Sequence, residues 1–152
     1  MAGNCPMILY RQITTHDREY ALEKELRNRV LRMPLGLHLS EQDVRDEDEQ
    51  VHLVAVNGKG QVIGCVLIAF SGDVAKARQL AVEGAYRGRG IGIELMKRAE
   101  DAILARNIRT VTLHGRVTAR GFFERLGYIA ESGVFTEVTI PHITMHKDLT
   151  GG

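Results

Sequence analysis

The fold of this chain is decided by six consecutive residues, Arg87-Gly88-Arg89-Gly90-Ile91-Gly92. This glycine loop follows an apolar predicted strand that ends at Val82, and it opens an amphipathic predicted helix. Glycines at a strand-to-helix turn let a ligand approach the backbone, and the free N–H groups at the helix start attract an anion. The two arginines add positive charge and forked donors. We therefore predict that the glycine loop binds a phosphate-bearing ligand.

Two common phosphate-binding motifs do not fit the glycine loop. A P-loop ends in Gly-Lys-Ser or Gly-Lys-Thr, which this loop lacks. A dinucleotide-binding turn reads Gly-x-Gly-x-x-Gly, and its third glycine would fall on Ile93 or Leu95. A glycine-rich turn that only caps a helix, with its arginines in solvent, stays open as the structural alternative.

Length and composition favour a single domain over residues 1–152. The 20 Lys and Arg residues balance 19 Asp and Glu residues, so no overall charge draws the chain to nucleic acid or to a membrane. No stretch reaches the roughly 18 apolar residues of a membrane helix, and no signal peptide is recognisable. Cys5 and Cys65 do not make a disulfide framework or a metal site, so we expect free thiols and a cytoplasmic location.

Hydrophobic periodicity predicts a mixed order of strands and helices. The predicted strands are 7–14, 51–56, 61–70, 74–82, 110–113, 128–138 and 142–147. The predicted helices are 17–30, one from 91 that ends before Asn107, and 119–126. Residues 37–50 are predicted to form a short helix or an ordered loop, with Ser40 and Asp43 as a capping box.

The connection between strands 74–82 and 110–113 determines the architecture. A helix joins them, so a right-handed crossover makes the two strands parallel. The other connections favour antiparallel pairs. We therefore expect an α/β fold with a mixed, mostly antiparallel sheet of about seven strands, flanked by about four helices.

A second motif makes the glycine loop more specific. Arg-x-x-Gly-x-Gly over residues 87–92, preceded by Leu-x-Val, resembles the acyl-coenzyme A pyrophosphate loop of the GNAT superfamily of N-acetyltransferases. Residues 119–128, Ala-Arg-Gly-Phe-Phe-Glu-Arg-Leu-Gly-Tyr, resemble the superfamily's Ala-x-x-Phe-Tyr-x-x-Leu-Gly-Phe motif. The resemblance implies the GNAT fold, in which parallel strands four and five splay apart and open a cleft.

A third resemblance narrows the branch. Residues 135–145 are similar to the ending Phe-x-Glu-x-x-Ile-Pro-His-x-x-Met of the ElaA-like and related uncharacterised bacterial acetyltransferases. Residues 26–31, followed by 50–55, are similar to the same group. Together the three resemblances cover nearly the whole chain.

The resemblance implies acetyl-coenzyme A as co-substrate, without a metal. The glycine loop would hold its pyrophosphate, the backbone of Leu80, Ala81 and Val82 would pair with its pantetheine arm, and Phe123 would lie beside it. A backbone N–H of the same segment would stabilise the tetrahedral intermediate by about 3 kcal/mol. An amine of a small molecule or a peptide would attack directly. The acceptor, the acyl chain and the oligomeric state, a homodimer included, stay open.

The proton-transfer groups depart from the superfamily pattern. Phe123 stands where a tyrosine often protonates coenzyme A, and the fourth strand has no glutamate. We therefore name His114 and His142 as candidate catalytic residues, because an unperturbed imidazole pKa of ~6.5 suits proton transfer at neutral pH. A turn-fixing function is the alternative for His142, and the thiolate alternatively takes its proton from water. Tyr128 and His52 are expected to be structural.

The acceptor side has two opposed charge clusters. An acidic segment, residues 41–49, would attract a cationic amine, although a solvated loop is the simpler hypothesis. Arg27, Arg29 and Arg32 permit the opposite hypothesis, an anionic acceptor. Arg116 replaces an asparagine that often precedes the second motif, which puts coenzyme contacts on that side in doubt.

Two other functions also stay open. One is an acyl-coenzyme A sensor with little turnover. The other is nucleotide or nucleic-acid binding by the arginines of the glycine loop, which salt would weaken steeply.

Overall fold

The computed structural model describes residues 7–149, which form one eight-stranded sheet with helices on both faces. The strands are β1 (Leu9–Ile13), β2 (Val51–Val56), β3 (Val62–Ser71), β4 (Val74–Val82), β5 (Thr110–Arg116), β6 (Ile129–Ala130), β7 (Phe135–Glu137) and β8 (Ile140–Asp148). The α-helices are α1 (Glu19–Arg27), α2 (Ile91–Leu104) and α3 (Arg120–Arg125). A π-helical turn, Asn28–Arg32, continues α1. Short 3₁₀ turns lie at Met33–Leu35, Glu47–Glu49, Gly84–Tyr86 and Val117–Ala119.

The strands lie in the order β1-β2-β3-β4-β5-β8-β6, and β7 pairs with β8. Alternate residues of β3 belong to different hydrophobic clusters on the two faces. Val66 and Ile68 pack in the cluster that includes α2, whereas Cys65 and Leu67 pack with Leu26 of α1. Strands buried on both faces are nearly continuous apolar runs, and this explains the composition of β2 and β3.

β4 and β5 are parallel, and their pairing stops before either strand ends. The pairs run from Val74–Thr110 to Ala77–Leu113. β4 then continues to Val82 and β5 to Arg116, with no further pairing between them in the described chain. A ligand site is expected where neighbouring strands separate at their carboxyl ends. The predicted splay of strands four and five is therefore present.

The predicted fold class is confirmed, and the sheet has one strand more than expected. The predicted strand 128–138 is divided into β6 and β7, because the chain bends at Ser132, whose hydroxyl accepts the Thr144 N–H at 2.9 Å. The last helix begins as the 3₁₀ turn Val117–Ala119. The first strand is shorter than residues 7–14, and Cys5 lies outside the described residues.

The segments before β2 also differ from expectation. The helix predicted over 17–30 begins at Glu19 and widens to a π-helical turn at Asn28. Residues 37–50 form turns, including the 3₁₀ turn Glu47–Glu49, which agrees with the ordered-loop alternative and not with an α-helix. Both capping-box bonds between Ser40 and Asp43 are present, at 3.2 and 2.9 Å, but they close a turn. Asp46 ends any helical run, because its φ is 62°.

The turn between β7 and β8 is strained. Glu137 pairs with Ile140, so Val138 and Thr139 make a two-residue turn, and their φ angles are 50° and 68°. Positive φ at both positions fits Asn-Gly, whereas β-branched side chains crowd the backbone there. The cost is about 1–2 kcal/mol for each such residue.

Replacing Val138 with Asn and Thr139 with Gly should therefore stabilise the protein. We expect the free energy of unfolding in urea to rise by about 1–3 kcal/mol, because the strain relieved at the two positions is partly offset by the conformational entropy that glycine loses on folding. The dependence on urea concentration should not change. Val134→Asn, at an exposed position with ordinary φ, is the control and should change little. A double variant no more stable than the native chain would contradict the assignment of strain.

Candidate active site

A cleft of about 870 Å³ opens where β4 and β5 separate. Its walls come from β4, β5, the glycine loop, α3, the π-helical turn and the β7–β8 turn. The predicted coenzyme-binding residues that line it are Leu80, Ala81, Val82, Arg87, Gly88, Gly90, Ile91, Gly92 and Phe123. The Arg89 guanidinium instead lies 5.1 Å from the centre of the Tyr86 ring.

A bulge in β4 shapes the strand that borders the cleft. β3 pairs with β4 as Cys65–Ala81 and Leu67–Arg78. Two residues of β4, Gln79 and Leu80, therefore lie opposite the single residue Val66 of β3. Gln79 has a φ of 58°, which is uncommon for any residue except glycine. The bulge and the end of pairing with β5 leave one edge of β4 open to the cleft. Backbone groups on this edge can pair with an extended ligand.

The glycine loop meets the requirements of an anion site. Gly88 and Gly90 both have φ 78°, and a Cβ at either would meet open space. Gly90 precedes α2, and no side chain caps the start of this helix. The first backbone N–H groups of α2 are therefore free to bind an anion. Arg87 is exposed, and its Nε donates to the Val82 carbonyl at 3.3 Å.

His114 forms a pair with a carboxylate at the far wall of the cleft. Its Nδ1 lies 2.8 Å from Oε1 of Glu137 and 3.5 Å from Nζ of Lys76. An ionised carboxylate only accepts, so Nδ1 donates in the shorter contact, and Nε2 is the ring nitrogen left to accept a proton from a substrate. Among residues 7–149, no hydrogen bond to Nε2 is present. This arrangement supports a general base.

Glu137 was not among the site residues predicted from the sequence. It lies between the two predicted histidines, since its Oε2 is 3.9 Å from Nε2 of His142. The Phe135 ring contacts both imidazoles, with centroid distances of 5.1 and 6.2 Å. The glutamate is part of the Phe-x-Glu-x-x-Ile-Pro-His pattern, and the two-residue turn after it brings it beside His142. That pattern was available in the sequence.

His142 lines the cleft but is tied to its own turn. The ring is 5% exposed, and its Nδ1 lies 3.0 Å from the Ile140 carbonyl. Nδ1 therefore donates to this carbonyl. Such a hydrogen bond to the backbone is what the turn-fixing alternative predicts for His142.

Two further aromatic residues, Tyr128 and Phe123, pack in the hydrophobic core. Tyr128 is 2% exposed and its hydroxyl donates to Glu100 at 2.9 Å, so it packs in the core as expected. Burial raises its pKa, and the Glu100 carboxylate raises it further. The Phe123 ring lies against the backbone of Gly115, where a Cβ would come within 3.2 Å of it.

A buried ionic network, made by Glu23, Arg27, Glu47 and His52, supports the cleft from the α1 face. All four side chains have no solvent exposure. Arg27 contacts both glutamates, and its Nε donates to the Gln79 side chain at 3.1 Å. Burial opposes ionisation of Glu47, but the hydrogen bond and charge of Arg27 hold its pKa below the usual range. The network therefore connects α1 directly to the bulge of β4.

His52 is a protonated member of this network. Its Nδ1 lies 3.0 Å from Glu23 Oε1, and its Nε2 lies 2.8 Å from the Glu47 carbonyl. Both neighbours are acceptors, so both ring nitrogens donate. Burial by itself lowers the pKa of His52, but the hydrogen bond and charge of Glu23 outweigh it and raise the pKa. The expected structural function of His52 agrees with this placement.

The charge clusters beside the acceptor side differ from their simplest interpretations. The hypothesis of a solvated loop is wrong for two residues of the acidic segment. Glu47 is fully buried, and Asp43 pairs with Arg32 at 3.4 Å. The remaining acids of the acidic segment are exposed. Arg29 pairs with Glu83 at 2.7 Å rather than lining the cleft.

The separated parallel strands, the glycine loop and the cleft between them agree with the fold of an acyltransferase. A sequence model of the acetyltransferase (GNAT) domain matches residues 37–149. The chain belongs to the GNAT acetyltransferase family, as the two motifs indicate. No residue group within 7–149 has the His, Cys, Asp and Glu cluster of a metal site, and no described helix is long and apolar enough to cross a membrane.

One curated relative and two solved structures show what this chain is similar to. The uncharacterized protein YyaT of Bacillus subtilis is 31% identical over 117 residues, which cover 74% of this chain and 79% of YyaT. The crystal structure of Escherichia coli ElaA has the same fold, with a TM-score of 0.82 and 20% identity over 93% of this chain and 100% of ElaA. An aminoglycoside 6'-N-acetyltransferase complexed with coenzyme A has a TM-score of 0.72 at 18% identity, over 95% and 98% of the two chains.

The raised pKa of His52 predicts a pH-dependent stability. The stabilising contribution of protonated His52 is complete below about pH 6.5, the pKa of this histidine in the unfolded chain. It is lost as the pH rises through the higher pKa of the folded protein. The free energy of unfolding in urea should therefore fall more between about pH 6 and about pH 9 for the native chain than for His52→Gln.

His16→Gln, at an exposed histidine, is the control and should keep the native pH dependence. Equal slopes for the native chain and His52→Gln would contradict the prediction. If His52→Gln does not fold, the imidazole resonances of the native protein can be titrated by NMR. A His52 midpoint at or below about 6.5 would then contradict it.

Proposed function

We propose that this protein transfers an acetyl group from acetyl-coenzyme A to an amine of a small molecule or peptide by direct attack in a ternary complex. One observation supports this most: the open edge of β4, the glycine loop and the His114–Glu137 pair all line one cleft. Membership in the GNAT family supports the acyl donor.

The donor is held by backbone groups. The N–H groups at the start of α2 bind the pyrophosphate, and Arg87 adds charge at the mouth of the cleft. The backbone of residues 80–82 pairs with the pantetheine arm like an added strand. Phe123 packs beside this arm, and Arg89 is a predicted contact at the solvent-facing end of the glycine loop.

The chemical step needs one base and one oxyanion donor. A neutral amine forms the new N–C bond, and the C–S bond of the tetrahedral intermediate then breaks. Nε2 of His114 takes the amine proton, and Glu137 is a positioning residue that fixes the imidazole tautomer through Nδ1. A backbone N–H of residues 80–82 stabilises the oxyanion. The thiolate takes its proton from water, since a thiol pKa of ~8.5 makes it a good leaving group.

His142 has a positioning function in this proposal. Its Nδ1 is engaged by the Ile140 carbonyl, and its Nε2 faces Glu137. It therefore holds the β7–β8 turn and the glutamate in place beside His114.

Gly90→Asp tests the donor site. A carboxylate at the helix start would face the pyrophosphate, and repulsion of several kcal/mol should weaken coenzyme A binding by roughly 100-fold or more in isothermal titration calorimetry. Gly90→Asn has the same size and the same backbone strain without the charge, so it should bind much more tightly than Gly90→Asp. Equal affinities for the two variants would exclude the glycine loop as the pyrophosphate site.

His114→Ala tests the base. Thiol release from acetyl-coenzyme A is first measured across amino acids, polyamines, aminoglycosides and peptide N-termini, and the best acceptor is then used. We expect kcat to fall by about 10²–10⁴ in His114→Ala, with coenzyme affinity unchanged. Glu137→Gln should lower kcat less, because the amide oxygen can still accept the hydrogen bond from Nδ1 of the histidine.

His142→Ala is the matched comparison, and we expect a smaller fall in kcat. Unchanged rates in all three variants would leave water as the proton acceptor and remove His114 from the mechanism. Tight coenzyme binding without thiol release for any amine would instead favour a sensor of acyl-coenzyme A.

A further inference from the structure

The acceptor side of the cleft has more positive than negative charge. Alternation along β4 and β5 places Lys76, Arg78, His114 and Arg116 on the α1 face of the sheet, opposite the apolar residues that pack against α2. Arg32 reaches the same space from the π-helical turn. The acids that line this side are Asp43 and Glu137.

Most of these charges have partners. Arg78 Nη1 contacts Glu47 at 3.0 Å and Gln50 at 2.7 Å, and its Nη2 donates to the Asp43 carbonyl at 3.0 Å. Arg32 pairs with Asp43, and Glu137 pairs with His114. These groups are already occupied before any acceptor binds.

Arg116 and Lys76 are different. The Arg116 guanidinium donates to the Leu31 carbonyl at 3.1 Å, and Lys76 Nζ lies 3.5 Å from His114 Nδ1. Within residues 7–149, no carboxylate oxygen lies within 4.0 Å of either cationic group. Both side chains are half-buried and both line the cleft. A partly desolvated cation without a counterion is costly, and binding an anion offsets that cost.

The surroundings of Arg116 strengthen this argument. Burial lowers the pKa of Arg116, and the positive charges of Arg32 and Arg87 lower it further. A cationic ligand would be repelled by the same charges, whereas a carboxylate or phosphate would be attracted. The planar guanidinium is also suited to bidentate contact with such groups.

The orientation of Arg116 favours the acceptor over the coenzyme. Its guanidinium reaches toward Leu31, on the α1 side of the sheet, while the glycine loop precedes α2, which packs on the opposite face. The glycine loop already offers backbone N–H groups and Arg87 to a pyrophosphate.

We propose that the acceptor is an amine that also bears an anionic group, a carboxylate or a phosphate, and that Arg116 and Lys76 bind this group. The proposal rests on the proposed function for the transfer of the acyl group. Because Lys76 is beside the His114 imidazole, an acceptor held by Lys76 and Arg116 lies next to the proposed base.

The test compares matched acceptors in the presence of acetyl-coenzyme A. Amino acids are paired with their carboxamides, and aminoalkyl phosphates with the corresponding amino alcohols. For the native chain, kcat/KM should be at least tenfold higher for the anionic member of one of the two series. That series identifies carboxylate or phosphate as the group bound. Carboxamides and amino alcohols that react as well as the anionic members would overturn the proposal.

Variants test the two cations. Arg116→Gln and Lys76→Gln should each reduce the preference for the anionic member at least tenfold, mainly through KM, with coenzyme A affinity unchanged. Arg116→Lys should keep part of the preference, since it keeps the charge and loses the fork. Arg29→Gln, at an exposed arginine paired with Glu83, is the matched control and should behave like the native chain. Weaker coenzyme A binding with an intact preference would assign Arg116 to the donor and overturn the proposal.

A binding measurement separates this proposal from the proposed function. Amino acids and aminoalkyl phosphates are titrated into the coenzyme A-bound protein by calorimetry. Binding that is lost in Arg116→Gln supports the anion site even if no amine is acetylated. Absence of binding and of anionic preference in the native chain overturns it, even if neutral amines are acetylated.

Discussion

The end of pairing between β4 and β5 is the constraint on which the rest of the molecule depends. After Ala77 and Leu113 the two parallel strands no longer share hydrogen bonds, so their backbone edges and side chains border an open cleft. Backbone groups that lose a partner in a buried sheet are costly unless a ligand or water replaces it. The glycine loop follows β4 after the 3₁₀ turn Gly84–Tyr86, which puts the proposed anion site at the mouth of the same cleft. The topology thus provides the proposed donor site almost without specific side chains.

A separated pair of strands needs support, and the buried ionic network provides it. Glu47 accepts hydrogen bonds from Tyr20, Arg27 and Arg78, so one carboxylate joins α1, the 3₁₀ turn before β2 and β4. Buried ion pairs often add little net stability compared with apolar packing, but removing one partner leaves an uncompensated charge. Their directional bonds restrict α1 and the bulge at Gln79 to one relative placement. We regard this as the reason that polar residues occupy the interior here.

Local patterns were sufficient for the elements that determine the fold. The apolar runs of β2 and β3, the limits of β4 and the start of α2 follow from residues close in sequence, and they agree with the structure. The π-helical turn at Asn28 and the fully buried Glu47 depend on contacts across 11 to 31 residues, so local propensity does not contain them. Glu137 was missed although its Phe-x-Glu-x-x-Ile-Pro-His pattern is present in the sequence. Its carboxylate becomes relevant only when β7 folds back on β8 and reaches His114, 23 residues earlier.

The proposed reaction needs the acceptor amine to lose a proton, because an amine in water is mostly protonated at neutral pH and attacks only as the neutral base. Nδ1 of His114 donates to Glu137, so Nε2 is the ring nitrogen that takes this proton in the proposed step. In the same proposal, Lys76 and Arg116 hold the anionic group of the acceptor, which fixes the amine relative to the imidazole. The thiolate takes its proton from water, so Phe123 needs no ionisable replacement.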